Sequence, residues 1–137
     1  MDNLSPERRS ENMRRIRSKD TSPEMVVRRL AHGFGFRYRL HEPKLEGKPD
    51  LVFPRLKKII DVRGCFWHQH RGCIDSHIPK SRAGYWRPKL QGNVARDKAK
   101  TRMWRKAGWE VFIVWDCQTS EKGRPVLKRS LRDFLSG

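Results

Sequence analysis

Apolar residues recur at helical spacing in three stretches of the chain. The first follows the sequence TSPE, where Thr21 and Glu24 have capping-box spacing and Ser22 offers an alternative cap. Five apolar residues of this helix are predicted to face a core: Val26, Val27, Leu30, Ala31 and Phe34. The second is a basic stretch, 82–107, in which Pro88 is tolerated near the start or kinks the helix. The third carries Val126, Leu127, Leu131, Phe134 and Leu135.

Four other stretches have the composition of β-strands. Residues 36–40 alternate apolar and basic side chains, which is typical of a half-buried strand. The sequence GKPDLVF leads into a second strand, and the largely apolar KKIIDVRGC is predicted to be central in the sheet. After Gly108, the sequence WEVFIVWDC is strongly β-prone. The order of helix, three strands, helix, strand and helix indicates a mixed α/β domain with a small central sheet.

Charge narrows the class of partner. The chain of 137 residues has 32 Lys and Arg against 15 Asp and Glu, a formal net charge of +17. Such a balance is typical of nucleic-acid binding, and a ribosomal or other RNA-binding protein shares it. Five Trp residues argue against a disordered basic tail, because they can build a core or stack on bases.

Composition also bears on the compartment. The amino-terminal sequence lacks the apolar core of a secretory signal peptide, and no run of about eighteen apolar residues occurs. Three cysteines do not suit a secreted disulfide framework. We therefore expect a reducing compartment, the cytoplasm and the place where the DNA lies, with no membrane partner. Nothing in the sequence indicates an oligomer, so a monomer is assumed.

The sequence GCFWHQHRGC concentrates potential metal ligands in one short loop. Cys65, His70 and Cys73 have the spacing of a zinc cluster. His68 is a competing candidate for the place of His70. Cys117 follows the predicted fourth strand as Cys65 follows the third, so adjacent strands would bring the two thiols together. A Cys3His zinc site would use every thiol in the chain, whereas the alternative is three unrelated buried cysteines.

Two acidic residues lie on neighbouring predicted strands, with Asp50 at the start of the second and Asp61 within the third. A hairpin would place Asp50 near Asp61, and two such carboxylates can hold Mg²⁺. The pattern resembles the PD-(D/E)xK nuclease core, with Arg63 in the usual lysine place. The alternative is a simple turn at Pro49, with Asp61 in a salt bridge to Arg63 or Lys58. A carboxylate inside the apolar run IIDVRG favours pairing or metal binding, since an unpaired buried charge is costly.

Asp97 is a candidate partner for a catalytic histidine. It lies on the long predicted helix, one turn from Asn93 and on the same face. A histidine held by an aspartate is the arrangement that orients a general base. The alternative is a solvated helix charge, because Arg96 and Lys98 flank Asp97.

Six segments taken together resemble the very-short-patch repair (Vsr) endonucleases. They run from about Ser10 to Cys117: NMRRIRSKDTSPE, GKPDLVF, GCFWHQHRGC, PKSRAGYW, KLQGNVARDK and GWEVFIVWDC. The resemblance implies a PD-(D/E)xK-type, restriction-endonuclease-like α/β core with a structural zinc. It also implies a Mg²⁺-dependent nick in one DNA strand, 5′ to the thymine of a T·G mismatch. A DNA cytosine methyltransferase is the usual companion, and mismatch-repair proteins are further candidate partners.

The resemblance implies a role for each matched residue. Asp50 is the metal-binding carboxylate, His68 is the general base for the attacking water, and Asp97 orients it. Glu24 supports the site. The four zinc ligands are Cys65, His70, Cys73 and Cys117.

The sequence departs from the family pattern at Asp61 and Arg63. Family members usually carry an aromatic or aliphatic residue at the first position and His at the second. We expect Mg²⁺ on Asp50 and the backbone carbonyl near Val62, and we predict that Asp61 adds a further ligand. Arg63 is predicted to stabilise the pentacoordinate phosphate as a fixed cation.

Five apolar side chains resemble wedges that enter the DNA beside the mismatch. Phe66, Trp67 and Trp86 are predicted to enter from one groove, and Met13 and Ile16 from the other. Unstacking costs least at an already mismatched pair, which would give selectivity. The alternative is that the aromatic residues form a core beneath the zinc loop and that the other two pack against the domain.

We predict an amino-terminal DNA-contacting arm over 1–20 and a single Vsr-like endonuclease domain over 21–137. Two other functions fit the same sequence. One is a related nuclease with a different DNA target, and the other is a non-catalytic, zinc-containing DNA-binding module.

Overall fold

A computed structural model describes residues 21–137 of the chain. The predicted arm, with Met13 and Ile16, lies outside these residues. The helices are α1 (Ser22–Gly33), α2 (Ala83–Lys106) and α3 (Arg124–Ser136). The strands are β1 (Arg39–Leu40), β2 (Leu51–Phe53), β3 (Lys58–Arg63) and β4 (Glu110–Trp115). The predicted order of elements and the mixed α/β class are confirmed.

The four strands form one sheet in the order β1-β2-β3-β4 within the described residues. β1, β2 and β3 pair antiparallel, and β4 pairs parallel to β3. The parallel register places Arg63 opposite Trp115, the last residues of their strands. The loops that follow β3 and β4 therefore begin side by side.

β1 is shorter than the strand predicted over 36–40. Only Arg39 and Leu40 pair with β2, while Tyr38 packs its ring edge-on against Phe53 at 5.9 Å between centroids. Phe36 is also packed against the core without belonging to the sheet. The alternating pattern at this place reflects contact with the core rather than strand pairing.

The main core lies between the sheet and helices α1 and α3. It consists of Val27, Ala31, Leu51, Phe53, Ile60, Val114, Leu127, Leu131 and Leu135. Side chains alternate across a strand, so Asp61 and Arg63 point to the opposite face from Ile60. Helix α2 covers that face, because its Thr101 contacts the guanidinium of Arg63. The sheet is therefore flanked by helices on both faces.

Two local predictions are wrong. The side chain of Thr21, the residue before α1, makes no capping hydrogen bond, so the predicted capping box does not form. Val126 is 59% exposed rather than turned to the core. Leu127, Leu131 and Leu135 recur every four residues and define the buried face of α3. Val126 lies about 100° around the helix from that face.

Pro88 lies inside α2, five residues after its first residue, Ala83. The helix continues past it to Lys106, so the stretch 82–107 forms one helix as predicted. Among the described residues, no helix combines the length and apolar character needed to cross a membrane.

Candidate active site and metal centres

Acidic side chains from three elements meet at one end of the β2–β3 hairpin. Asp50 directly precedes β2, and the register pairs Leu51 with Ile60, so Asp61 lies nearby on β3. Asp50 Oδ2 accepts a hydrogen bond of 2.7 Å from the backbone N–H of Val62. The carboxyl groups of Glu24 and Asp61 lie close enough to that of Asp50 to raise its pKa. The hairpin therefore forms the carboxylate pair that the sequence predicts.

These contacts change the protonation of Asp50. Burial, followed by the negative charge of Asp61, raises the pKa of Asp50 to about 9. The hydrogen bond from Val62 N–H acts in the opposite direction but is outweighed. At neutral pH this carboxyl group holds a proton unless another cation takes its place. Crowded carboxylates of this kind fit a hard divalent cation such as Mg²⁺.

His41 completes this cluster, although it is absent from the predicted site residues. Its Nε2 lies 3.2 Å from Glu24 Oε2, and its Nδ1 lies 3.9 Å from Asp50 Oδ1. The potential ligand atoms of Glu24, His41 and Asp50 all lie within 4.8 Å of one another. The strand register accounts for this position. Leu40 pairs with Leu51 in antiparallel strands, so His41, which follows Leu40, comes opposite Asp50, which precedes Leu51.

His68 and Asp97 form a second polar pair. His68 Nδ1 lies 2.6 Å from Asp97 Oδ2, and Asp97 is only 7% exposed on the inner face of α2. One turn earlier, the side-chain amide of Asn93 donates to the backbone carbonyl of Trp67 at 2.9 Å. Helix α2 thus holds both the imidazole ring and the backbone of the loop that carries it.

Arg63 connects the two groups. Its Nε donates to Asp61 Oδ2 at 3.0 Å, and another guanidinium nitrogen donates to Thr101 Oγ1 at 2.9 Å. The Thr101 hydroxyl in turn donates to the backbone carbonyl of Asp97 at 2.9 Å. Asp61 therefore forms the salt bridge with Arg63 and also lies close to Asp50. Lys58, the other candidate partner of Asp61, instead bonds the backbone carbonyl of Gly137 at 3.1 Å.

A separate cluster of sulfur and nitrogen atoms lies where the loops after β3 and β4 begin. Four potential ligand atoms lie within 4.8 Å of one another, those of Cys65, His70, Cys73 and Cys117. His70 Nδ1 is 3.6 Å from Cys65 Sγ and 3.4 Å from Cys117 Sγ. The imidazole of His70 stacks on Trp115, with ring centroids 4.2 Å apart. The structure thus brings His70, rather than His68, into the thiol cluster.

Two thiols of this cluster, those of Cys65 and Cys117, disfavour ionisation without a cation. Burial raises the pKa of Cys65 to about 12, and burial also raises the pKa of Cys117. A bound metal ion would reverse this preference, because thiolates are its ligands. Three thiols and one imidazole are a donor set that suits Zn²⁺.

Aromatic rings pack beneath the loop that carries His68. Phe66 contacts Trp67 and Trp86 edge-on, with centroids 5.5 and 5.4 Å apart. Trp67 and Trp86 are 9% and 5% exposed and pack with Leu90 as a second small core. Tyr85 is more exposed, and the guanidinium of Arg82 lies 4.7 Å from its ring centroid. The two tryptophans therefore serve as core, while Phe66 is half-buried.

Comparison with known proteins identifies the family. The family model described as DNA mismatch endonuclease Vsr matches residues 1–74. The type II nicking enzyme V.XorIIP of Xanthomonas oryzae pv. oryzae is 48% identical over 98% of this chain and 96% of its own length. The DNA mismatch endonuclease Vsr of Escherichia coli is 38% identical over 80% of this chain and 69% of its own length. The chain belongs to the Vsr family of DNA mismatch endonucleases and is a DNA endonuclease.

Proposed function

We propose that the protein nicks one DNA strand 5′ to the thymine of a T·G mismatch, with Mg²⁺ as the catalytic cation. The observation that carries the proposal is the polar network that joins Asp50 and Asp61, through Arg63, to the His68–Asp97 pair. A cation site can activate the phosphodiester and an oriented imidazole can act as general base, so together they suit phosphodiester hydrolysis. Related proteins described as a mismatch endonuclease and as nicking enzymes support the proposed substrate.

His68 acts as the general base in this proposal. Its Nδ1–H donates to Asp97 Oδ2, which leaves the lone pair of Nε2 to accept a proton from water. Asp97 fixes the tautomer and the orientation of the ring. The side chain of His68 is 31% exposed, so water can reach it.

Asp50, the backbone carbonyl near Val62 and Asp61 are the proposed ligands of the catalytic cation. When bound, the cation neutralises the crowded carboxylates and stabilises the leaving 3′ oxygen. Glu24 supports the site from α1. The guanidinium of Arg63, held by Asp61 and Thr101, is proposed to stabilise the pentacoordinate phosphate as a fixed cation.

Zn²⁺ on Cys65, His70, Cys73 and Cys117 is proposed to be structural. Only a short 3-10 helix, Ile74–Ser76, interrupts the irregular described segment between β3 and α2. A metal bound there would stabilise the segment directly. His68 lies between two of the proposed ligands, so the same ion would hold the general base in place.

Substrate contact is proposed to use the basic surface and the aromatic residues. With a net charge of +17, the chain binds phosphates, and its affinity for DNA is expected to fall steeply with salt. Phe66 is the proposed wedge, with Trp67 and Trp86 supporting it from below. The arm over 1–20, with Met13 and Ile16, is proposed to enter the opposite groove. A DNA cytosine methyltransferase is the proposed functional companion, since deamination of 5-methylcytosine produces the mismatch.

A nicking assay at low salt with Mg²⁺ tests this function. It compares a T·G duplex with the matched C·G duplex, using the wild type, Asp50→Ala and Asp61→Ala. Asp133→Ala, an exposed carboxylate on α3, is the matched control. We expect nicking of the T·G duplex only, loss of nicking in Asp50→Ala, a weaker rate in Asp61→Ala and an unchanged rate in the control.

Three other results would change the interpretation. Equal cutting of matched DNA would favour a related nuclease with a different target. DNA binding without nicking would favour a non-catalytic DNA-binding module. A normal Mg²⁺-dependent rate in Asp61→Ala would remove Asp61 from the ligand set while leaving the proposed reaction intact.

A further inference from the structure

The backbone fixes His41 next to Asp50. The N–H of His41 donates to the carbonyl of Asp50 at 3.1 Å, directly after the last paired residue of β1. His41 has a φ of +46°, a left-handed conformation that is uncommon for residues other than glycine but enriched for His, Asn and Asp. The imidazole therefore reaches the carboxylate cluster from a defined position on the edge of the sheet.

The spacing between the two side chains suits a shared ion. The distance of 3.9 Å from His41 Nδ1 to Asp50 Oδ1 is too long for a hydrogen bond. Two ligands about 2.1 Å from one octahedral ion lie about 3.0 Å apart in cis and about 4.2 Å apart in trans. The observed distance is about 0.3 Å shorter than the trans separation, so a small shift would let both atoms bind one ion. Asp50 Oδ2 is already engaged by Val62 N–H, so Oδ1 is the oxygen that faces the imidazole.

The other ring nitrogen has the partner that metal-binding histidines usually have. His41 Nε2 lies 3.2 Å from Glu24 Oε2, and Glu24 is only 2% exposed. Arg28 contacts the same nitrogen at 3.4 Å and forms an ion pair with Glu24 that holds the carboxylate in place. A metal-bound histidine commonly donates its second N–H to a carboxylate, which fixes the tautomer and leaves the first nitrogen to the metal.

We propose that His41 is a ligand of the catalytic cation through Nδ1, with Glu24 as the residue that positions its ring. The inference rests on the cation site of the proposed function. Carboxylate and water ligands suit both Mg²⁺ and Mn²⁺, whereas an imidazole nitrogen is a better ligand for Mn²⁺, a transition-metal ion, than for the harder Mg²⁺. The nitrogen ligand therefore raises the affinity of the site for Mn²⁺ more than its affinity for Mg²⁺.

Binding of Mn²⁺ to the zinc-loaded full chain, without DNA, tests this ligand. Electron paramagnetic resonance measures the free Mn²⁺, and its pulsed form detects ¹⁴N coupling from an imidazole bound directly to the ion. The test variant is His41→Asn, because asparagine tolerates the left-handed backbone at this position. His32→Asn, an exposed histidine in the last turn of α1, is the matched control, and Asp50→Asn reports on the site itself.

We expect ¹⁴N coupling in the wild type and in His32→Asn, and its loss in His41→Asn. Mn²⁺ affinity should fall about tenfold in His41→Asn, with a smaller fall in Mg²⁺ affinity measured by competition. Glu24→Gln should retain the coupling while weakening Mn²⁺ binding, which separates positioning from ligation.

The outcomes distinguish the two proposals. Mn²⁺ binding that depends on Asp50 but lacks ¹⁴N coupling, or coupling that persists in His41→Asn, would overturn the role of His41 and leave the proposed function intact. Mn²⁺ binding unaffected by Asp50→Asn would instead overturn the cation site of the proposed function.

Discussion

The two groups of potential metal ligands among the described residues are built in different ways. The thiol cluster takes Cys65, His70 and Cys73 from one irregular segment and adds Cys117 from the end of β4. The carboxylate cluster takes its members from separate elements, with Glu24 on α1 and His41 and Asp50 beside paired strands. The thiol cluster therefore has to organise the segment around it, whereas the carboxylate cluster is positioned by a helix and strands that form without it.

This difference has opposite consequences for stability. Both clusters disfavour the ionised form of a ligand, since the pKa values of Asp50 and Cys65 are raised. Zinc bound to the thiols would stabilise a segment that has little regular structure of its own. The carboxylates, in contrast, are held close together by a helix and strands whose folding does not depend on them. The first cluster is expected to contribute to folding, and the second to cost stability for the sake of function.

The largest expected effect concerns the thiol cluster. His70→Ala should abolish zinc binding and lower the free energy of unfolding by at least about 3 kcal/mol, because structural zinc contributes about 10–16 kcal/mol in small zinc-dependent domains. Zinc content by mass spectrometry and urea unfolding measure the two effects. His77→Ala removes an exposed histidine from the same segment and should change neither. Equal zinc content in both variants would mean that the cluster is not the zinc site.

A second prediction separates His68 from the proposed zinc ligands that flank it. His68→Ala should lower kcat for nicking by about 10²–10⁴-fold, the range for loss of a general base. Asp97→Asn should lower it by about 10–100-fold, because the ring loses its orienting partner. Zinc content and urea unfolding should stay at wild-type values in both variants. Zinc loss in His68→Ala would place that residue in the structural cluster instead.

The smallest predicted effect is the stability cost of the carboxylates. The pKa of Asp50 is about 9 in the folded chain and near its ordinary 3.8 when unfolded. The folded state therefore holds a proton that the unfolded state releases, and stability falls as pH rises between these values. Without added Mg²⁺, zinc-loaded Asp50→Asn should lack this decline and exceed the wild type by about 1–2 kcal/mol near pH 8.

Urea unfolding between about pH 5.5 and pH 8.5 measures this gap, which should widen with pH and shrink when Mg²⁺ is added. Asp133→Asn should behave like the wild type throughout. A gap that stays constant with pH would show that the asparagine acts through packing rather than through the charge of Asp50.

Sequence periodicity predicted two kinds of element: strands whose two faces are both covered, and helices whose apolar residues recur over several turns. Strands β3 and β4 and the three helices belong to this group, because burial leaves a strong pattern in the sequence. Val126 was misplaced because an apolar side chain does not by itself show on which side of the helix it lies, and the buried face is set by Leu127, Leu131 and Leu135. The capping box failed because spacing does not reveal that Glu24 has stronger partners, Arg28 and His41, in the folded chain.

Spacing also predicted which residues could meet but not every contact that joins them. The neighbouring ends of β3 and β4 follow from the sheet, so the meeting of Cys65 and Cys117 could be anticipated. His41 stands alone between β1 and a loop, and only the strand register places it opposite Asp50. The link from Arg63 to Thr101 crosses 38 residues of sequence and depends on how α2 lies on the sheet.

The parallel pairing of β3 and β4 has a consequence for the order of assembly during synthesis. Strands β1, β2 and β3 follow one another closely, so Asp50 and His41 can meet as soon as that meander has formed. Cys117 comes after α2 and β4, so a growing chain lacks its fourth thiol-cluster ligand until those elements have been made. We therefore expect the loop that carries His68 to be fixed late, which would keep the nascent nuclease inactive until Cys117 has been translated.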